Sequence, residues 1–259
     1  MSILQKIVDR KKEEVAQRKR SSPKEILVST PYFVRRTISL VEGLQLPGAS
    51  GIIAEFKRRS PSKGIINDKA DPVKVTAGYQ LAGASAVSIL TDSDFFGGSE
   101  NDLRACRETL QIPILRKDFI IDPYQLLEAR AIGADLILLI AACLSPQQVN
   151  GLAEEAHGLG LEVLLELHDE DELAHVSSNI DLVGINNRSL KTFDVDIQRS
   201  LRMASSLPSD MPKVAESGID DPAQVNMFRS HGYQAFLIGE NFMKHSEPEK
   251  ALKDFINNI

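Results

Sequence analysis

The stretch that decides the fold is "GIIAEFK" at residues 51–57, a short apolar run that ends in a carboxylate and an ammonium group. Seven more apolar runs follow it: "AVSILTD" from 86, "IPILRKDF" from 112, "DLILLIAA" from 135, "LEVLLELH" from 161, "LVGINNR" from 182, "KVAESG" from 213 and "AFLIGE" from 235. Their starts lie between 21 residues (161 to 182) and 35 residues (51 to 86) apart. Each interval has room for one strand, one helix and two turns, which is typical of repeated βα units.

Several segments between the runs carry helix start and stop signals. Four of them begin with an N-cap residue followed by proline: Asp71, Asp122, Ser145 and Asp221. Four glycines lie where these helices should end and predict left-handed C-terminal caps: Gly83, Gly133, Gly158 and Gly232. These signals support helical crossovers between parallel strands.

Eight parallel strands with right-handed crossovers can close into a barrel or form an open doubly wound sheet. We favour the barrel because no GxGxxG follows the first strand and because 259 residues is close to the usual size of that fold. The predicted fold is therefore α/β, a (β/α)8 TIM barrel. We expect one domain over residues 1–259, with the barrel at 51–259 and an N-terminal helical extension at 1–50, where Ile3, Ile7 and Val15 indicate an amphipathic helix.

Composition excludes several classes of protein. The formal net charge of −6 argues against a general nucleic-acid binder. The two cysteines, Cys106 and Cys143, form no CxxC and suggest neither a disulfide framework nor a zinc site. The charged N-terminus lacks the continuous apolar run of a signal peptide or a membrane span. We expect a cytoplasmic protein that binds a small molecule, and neither nucleic acid nor membrane.

Polar side chains end five of the eight runs. They are Glu55 and Lys57 in the first, Lys117 in the third, Glu166 in the fifth, Asn186 and Arg188 in the sixth, and Glu216, Ser217 and Gly218 in the seventh. One charged strand end is most often a structural ion pair or a solvated rim residue. In a barrel the carboxyl ends of all strands lie at one mouth, which is where the active site is found. We therefore expect these five polar strand ends to come together. Three cations and three carboxylates there predict acid–base chemistry on an anionic substrate. For His168, two residues after Glu166, loop or helix-cap contacts are favoured over catalysis.

The last two units carry a phosphate signal. Ser217 and Gly218 follow the seventh strand, and Gly239 and Glu240 follow the eighth. Barrels commonly bind phosphate there, with backbone N–H groups and the N-terminus of a short helix. Either segment alone would be weak evidence, because glycine after a strand is more often a simple turn. Together they favour a sugar phosphate or a similar ligand.

With these residues assembled, the sequence closely resembles the indole-3-glycerol phosphate synthase family over nearly its whole length. The resemblance rests on "ILQKIVDRKKEEV", "IIAEFKRRSPSKG", "SILTDSDFFGGS", "ILRKDFIIDPYQ", "LLELHDEDEL", "GINNRSLKTFDVD", "VAESGI" and "LIGENFM". Glu240 stands where some members have a smaller residue. The resemblance implies conversion of 1-(2-carboxyphenylamino)-1-deoxyribulose 5-phosphate to indole-3-glycerol phosphate in tryptophan biosynthesis, with loss of carbon dioxide and water and without a metal or organic cofactor.

The resemblance also implies roles for the site residues. Lys117 would be the general acid, Glu166 the base, and Lys57 the partner of the substrate carboxylate. Glu55 and Asn186 would orient substrate hydroxyls, supported by Arg188 and Glu216. The phosphate anchors would be Ser217, Gly218, Gly239 and Glu240. Ser60 and Ser62 would touch the anthranilate end, and Phe119 and Leu237 would form apolar walls. The long loop at 58–70 is expected to close over the ligand.

Three alternatives remain open at this point. A class I aldolase would form a Schiff base at Lys117, but neighbouring carboxylates oppose the depressed pKa that an amine nucleophile needs. A barrel of the phosphoribosyl isomerase type would bind phosphate similarly and would lack the lysine pair. A catalytically inactive binding module is the third alternative. The sequence allows a monomer and leaves the oligomeric state and docking with other enzymes of the pathway undetermined.

Overall fold

A computed structural model describes residues 2–189 and 194–259 of the chain. Residues 190–193, part of the "GINNRSLKTFDVD" motif, lie outside the described residues. Eight parallel strands form a closed barrel in chain order: β1 (Ile52–Phe56), β2 (Ala86–Leu90), β3 (Ile114–Lys117), β4 (Leu136–Ile140), β5 (Glu162–Leu167), β6 (Leu182–Asn186), β7 (Lys213–Glu216) and β8 (Ala235–Ile238). Pairing of Ile53 with both Ala86 and Leu237 closes the ring. The predicted (β/α)8 barrel is confirmed.

The apolar runs are nearly continuous because both faces of each strand are buried. Successive side chains alternate between the barrel interior and the layer under the helices. Ile53 lies in the interior cluster with Leu115 and Leu164, whereas its neighbours Ile52 and Ala54 belong to the outer core. The same alternation directs Lys117 into the mouth of the barrel and Arg116 into the helix layer.

The helices that surround or extend the barrel are α1 (Ile3–Ser21), α2 (Lys24–Val28), α3 (Leu40–Leu44), α4 (Pro72–Leu81), α5 (Glu100–Arg107), α6 (Tyr124–Ile132), α7 (Pro146–Gly158), α8 (Ile197–Ala204), α9 (Pro222–Ser230), α10 (Glu240–Met243) and α11 (Pro248–Ile256). Asp71, Ser145 and Asp221 are N-caps, as predicted. In α6 the N-cap position belongs to Pro123, and the predicted cap, Asp122, accepts a hydrogen bond from the Tyr124 N–H at 2.9 Å.

Two local expectations are wrong. Gly158 is the last residue of α7, and the left-handed residue after that helix is Gly160, with φ 73°. The turn that ends the helix is closed by the Gly160 and Leu161 N–H groups, which donate to the His157 and Ala156 carbonyls at 2.9 Å. Between β5 and β6 the crossover has only a 3₁₀ helix at Glu170–His175, although the 22-residue interval from 213 to 235 has room for the nine-residue helix α9. The other predicted caps, Gly83, Gly133 and Gly232, all have positive φ.

The N-terminal helices contact both ends of the barrel. At the amino end of the strands, Leu40 of α3 packs against the interior cluster, and its N–H donates to Glu162 Oε2 at 2.8 Å. At the other end, Lys11 of α1 is buried, with its Nζ 3.0 Å from Asp92 and 2.9 Å from Asp118. These contacts fix α1 beside the strand ends that carry the polar residues. No helix in the described part of the chain is both long and apolar enough to cross a membrane.

Candidate active site

A cavity of about 420 Å³ opens at the carboxyl ends of the strands. Every site residue predicted from the sequence lines it: Glu55, Lys57, Ser60, Ser62, Lys117, Phe119, Glu166, Asn186, Arg188, Glu216, Ser217, Gly218, Leu237, Gly239 and Glu240. They meet because parallel strands of a barrel all end at one rim. The structure thus brings together residues that are up to 185 positions apart, from Glu55 to Glu240.

The centre of the cavity is the Lys117 ammonium group. Its Nζ lies 2.7 Å from Glu166 Oε2 and 3.1 Å from Glu216 Oε2. The other oxygen of Glu166 accepts a hydrogen bond from Asn186 Nδ2 at 3.1 Å. Both carboxylates are almost completely buried. One cation thus faces two buried carboxyl groups, and electrostatic interactions between buried groups are strong.

The three groups have opposite pKa shifts with identifiable causes. Burial opposes the charge on Lys117, but Glu166 and Glu216 outweigh it and raise the pKa of Lys117. Burial likewise opposes the charge on Glu166, yet Lys117 and His168 hold the pKa of Glu166 well below its usual range. Burial raises the pKa of Glu216 to about 8. At neutral pH the cluster therefore contains an ammonium, one carboxylate and one protonated carboxyl group.

Glu55 and Lys57 form a second ion pair at the end of β1. Glu55 is buried, whereas the Lys57 side chain keeps 19% of its surface exposed to the cavity. Gly239 makes room for this pair, because a Cβ added there would lie 2.5 Å from Glu55 Oε1 and 2.9 Å from Glu55 Cβ. Both charges of this buried strand therefore face the mouth of the barrel.

The rim around β7 and β8 has the backbone geometry of an anion site. Ser217 and Gly218 are both left-handed, with φ 65° and 70°, and serine rarely adopts that conformation. Asn187 Nδ2 donates to the Ser217 carbonyl at 2.7 Å and supports the turn. Consecutive residues in such turns expose neighbouring N–H groups, which favours anion binding. Glu240 begins α10 beside them, and Lys63 Nζ lies 3.1 Å from its carboxylate.

Apolar side chains also line the cavity and form an apolar wall. The rings of Phe96 and Phe119 pack with their centroids 5.9 Å apart. The wall also includes Leu237 and two residues of α1, Ile3 and Ile7. Sequence reasoning missed Phe96, although it follows the second strand in "TDSDFF", and it predicted the N-terminal helix without placing it at the site. Aromatic and aliphatic surfaces of this kind suit a planar ring.

His168, for which the sequence favoured loop or helix-cap contacts over catalysis, also lies beside the site. It is buried, and its Nε2 lies 3.0 Å from Glu166 Oε1. The predicted loop contact also exists, because the His168 N–H donates to Glu172 Oε2 at 2.6 Å. The spacing in "LLELH" contained the signal, since residues 166 and 168 lie on the same face of a strand.

Comparison with known proteins agrees with this geometry. Residues 4–255 match the model of the family described as indole-3-glycerol phosphate synthase. The chain belongs to the indole-3-glycerol phosphate synthase family. Two curated relatives carry that name: one from Bacteroides thetaiotaomicron is 49% identical over 99% of this chain and 98% of the relative, and one from Bordetella pertussis is 44% identical over 95% of each.

Membership of the indole-3-glycerol phosphate synthase family confirms the resemblance and the enzyme class predicted from the sequence, a carboxy-lyase of tryptophan biosynthesis. Among solved structures, a 3-hexulose-6-phosphate synthase is similar with a TM-score of 0.63 at 12% identity, over 81% of this chain and 99% of the other. At that identity the likeness concerns the barrel alone. Among residues 2–189 and 194–259, no group of three or more His, Cys, Asp or Glu side chains could hold a metal ion.

Proposed function

We propose that the cluster at the barrel mouth catalyses closure of the pyrrole ring of indole-3-glycerol phosphate. The substrate is 1-(2-carboxyphenylamino)-1-deoxyribulose 5-phosphate, and the reaction releases carbon dioxide and water. The observation that carries this proposal is the position of Lys117 Nζ, 2.7 Å from Glu166 and 3.1 Å from Glu216 in a cavity that also has an apolar wall and an anion-binding rim. A site of this kind can supply an acid and a base, and it can bind an aromatic ring at the apolar wall and a phosphate at the rim.

Lys117 is the general acid in this proposal. As the aromatic carbon that bears the carboxylate attacks the ribulose carbonyl, the new C–C bond pushes an electron pair onto the carbonyl oxygen. Lys117 gives its proton to that oxygen. Its carboxylate partners raise its pKa, so the ammonium form predominates when substrate arrives. The same shift disfavours the aldolase alternative, because a Schiff-base lysine needs a neutral amine.

Lys57 and the apolar wall position the reacting ring. Lys57 would pair with the substrate carboxylate, while Phe119 and Leu237 contact the aromatic face and Ser60 and Ser62 contact its edge. Holding the ring over the carbonyl converts a flexible substrate into a near-attack conformer. After ring closure the carboxylate leaves as carbon dioxide, and its bonding electrons pass toward the ring nitrogen, which is an iminium at that stage.

Glu166 is the base of the dehydration step. It would remove a proton from the ring intermediate, while a lysine ammonium group protonates the departing hydroxyl, so that water leaves. Its Oε1 accepts a hydrogen bond from Asn186 at 3.1 Å, which orients the carboxylate. Glu55 and Asn186 would bind substrate hydroxyls. Arg188 and Glu216 would support the network.

The phosphate would bind at the rim of β7 and β8, on backbone N–H groups of Ser217, Gly218, Gly239 and Glu240. A remote group of this kind contributes binding energy that can position the reacting end. We also propose that residues 1–259 act as one domain in the cytoplasm, on a small-molecule substrate and without nucleic acid. The net charge of −6 supports the absence of a general nucleic-acid site.

The test is turnover of the carboxyphenylamino ribulose phosphate by the pure protein, followed by the appearance of indole fluorescence. Lys117→Met should lower kcat by about 10³-fold or more, because it removes the acid. Binding of inorganic phosphate should stay within about twofold, since the anchors lie on other strands. Lys250→Met, which removes an exposed lysine paired with Glu247, is the control. Near-normal turnover by Lys117→Met would contradict the acid assignment.

A further inference from the structure

The His168 ring lies between two carboxylates. Its Nε2 is 3.0 Å from Glu166 Oε1, and its Nδ1 is 3.8 Å from Glu172 Oε2. Only 3% of the residue is exposed. Neither ring nitrogen has a well-aligned hydrogen bond within the described part of the chain, so the contact with Glu166 is a close charge pair rather than a linear bond. A buried imidazole in such a place contacts the proposed base directly.

The 3₁₀ helix after β5 holds Glu172 against the ring. Glu172 Oε2 accepts the His168 N–H at 2.6 Å. His175 ties the same turn to the loop after β4, with its Nε2 2.9 Å from the Leu144 carbonyl and its Nδ1 3.0 Å from the Glu172 carbonyl. The 3₁₀ helix therefore holds Glu172 near Nδ1 of His168, and β5 holds Glu166 near its Nε2.

The charges around His168 favour the imidazolium. The titratable groups that face this region are Glu166 on β5, Glu172 on the 3₁₀ helix, Cys143 on the turn after β4, and Lys117 on β3 beyond Glu166. Burial raises the pKa of the Cys143 thiol to about 12, so it is neutral. Burial opposes the charge on His168, but Glu166 and Glu172 outweigh it and raise the pKa of His168 to about 9.

We propose that His168 is a positioning residue for the general base: its imidazolium holds the Glu166 carboxylate ionised and oriented toward the substrate. This inference rests on the proposed role of Glu166. Lys117 holds one oxygen of Glu166, while Asn186 and His168 hold the other. When Lys117 gives up its proton to the substrate, His168 remains as the cation beside the base. Glu166 is then kept ionised for the dehydration step by a group that does not itself transfer a proton.

Two variants separate the charge of the His168 ring from its polar contact with Glu166. His168→Leu removes both and should lower kcat by about 10- to 100-fold, because a misplaced base loses rate at that scale. His168→Gln keeps a donor without the charge and should recover part of kcat. The KM should change less than about twofold in either variant, since the phosphate and ring contacts lie elsewhere.

The pH dependence of kcat/KM distinguishes the proposed role of the His168 charge from a purely structural role of the side chain, which would not change it. A histidine with a raised pKa is charged below about pH 9 and loses its charge above it, so kcat/KM of the natural protein should fall above pH 9. That step should be missing in His168→Gln, whereas any step near pH 8 from Glu216 should appear in both proteins. Titration of the ring ¹⁵N signal, assigned by its loss in His168→Gln, should give a midpoint near 9 without reference to activity.

His175→Leu is the matched control, because His175 contacts the same turn through backbone carbonyls. It should keep the step near pH 9. Overturning results are a ring titration near the ordinary 6.5, natural kcat in folded His168→Leu, or loss of the same step in His175→Leu. Glu166→Gln distinguishes the two proposals. An inactive Glu166→Gln beside normal His168 variants would overturn the positioning role alone, and an active Glu166→Gln would overturn both.

Discussion

Gly184 on β6 makes room for the Glu216 carboxylate, so Gly184→Ala tests how tightly the site depends on its packing. A Cβ added at Gly184 would overlap Glu216 Oε1, and it would lie 3.2 Å from Glu216 Cδ and 3.3 Å from Leu164 Cδ1. The φ of Gly184 is outside the left-handed region, so alanine can adopt this backbone. The substitution therefore perturbs space and not conformation.

The magnitude follows from the distances. To restore ordinary contact the carboxylate must move by on the order of 1 Å. Its 3.1 Å bond to Lys117 would then lengthen or break. A displacement of that size can cost about 10²-fold in rate, and overpacking a strand costs about 1–3 kcal/mol. We expect Gly184→Ala to lower kcat by about 10- to 100-fold and the free energy of unfolding by about 1–3 kcal/mol.

Steady-state kinetics by indole fluorescence and urea denaturation measure the two effects. Gly151→Ala is the control, because nothing lies within 4 Å of the Cβ it adds on α7. It should leave kcat unchanged and stabilise the helix by about 0.5–1 kcal/mol. Shortening the acid in Gly184→Ala/Glu216→Asp should restore part of kcat. Natural kcat and stability in Gly184→Ala would refute the reasoning, because the strands would then have absorbed the methyl group without moving Glu216.

Three further predictions concern pH, the N-terminal helix and the loop after β1. Burial raises the pKa of Glu216 from 4.5 to about 8, so the stability that the protonated side chain contributes is complete below pH 4.5 and is lost as pH rises through 8. The melting temperature should therefore fall from pH 6 to pH 9, and this fall should be smaller in Glu216→Gln. An equal fall in both proteins would contradict the raised pKa. Lys11→Met removes the buried cation that Asp92 and Asp118 share, and it should cost about 3–5 kcal/mol in urea denaturation. The exposed Lys12→Met should cost less than about 1 kcal/mol, and equal losses would argue that the buried contacts of Lys11 do not fix α1 to the barrel. Hydrogen exchange in residues 58–70 should slow at saturating ligand if that loop closes, and unaffected exchange would end the lid proposal.

The barrel fold and the set of residues at its mouth could be predicted from local sequence patterns. Strand runs, caps and spacing are short-range properties, and the rule that parallel strands end at one rim then collects Lys117, Glu166 and Glu216. A local prediction was wrong at the end of α7, where two glycines lie close together in the sequence. The sequence predicted the left-handed cap of α7 at Gly158, whereas the structure has the left-handed residue two positions later, at Gly160.

The buried network in the helix layer was not predictable in the same way. Arg116 is fully buried and contacts Glu100 at 2.7 Å, Asp118 at 3.3 Å and Glu128 at 3.3 Å. In the sequence Arg116 and Lys117 are adjacent cations, and only Lys117 was predicted to lie at the mouth. Strand alternation places Arg116 on the opposite face, and the structure shows which acidic side chains of other elements meet it there.

The sequence by itself determined the eight strands, the helical connections and the set of polar residues at the strand ends, because those features depend on side-chain period and turn chemistry within each unit. Tertiary structure alone decided which charges meet. Lys117 contacts carboxylates 49 and 99 positions away, and α1 brings Lys11 to Asp118. Ionisation states depend on those distances and on burial, so the protonated Glu216 and the charged His168 follow from the folded barrel and not from any local pattern.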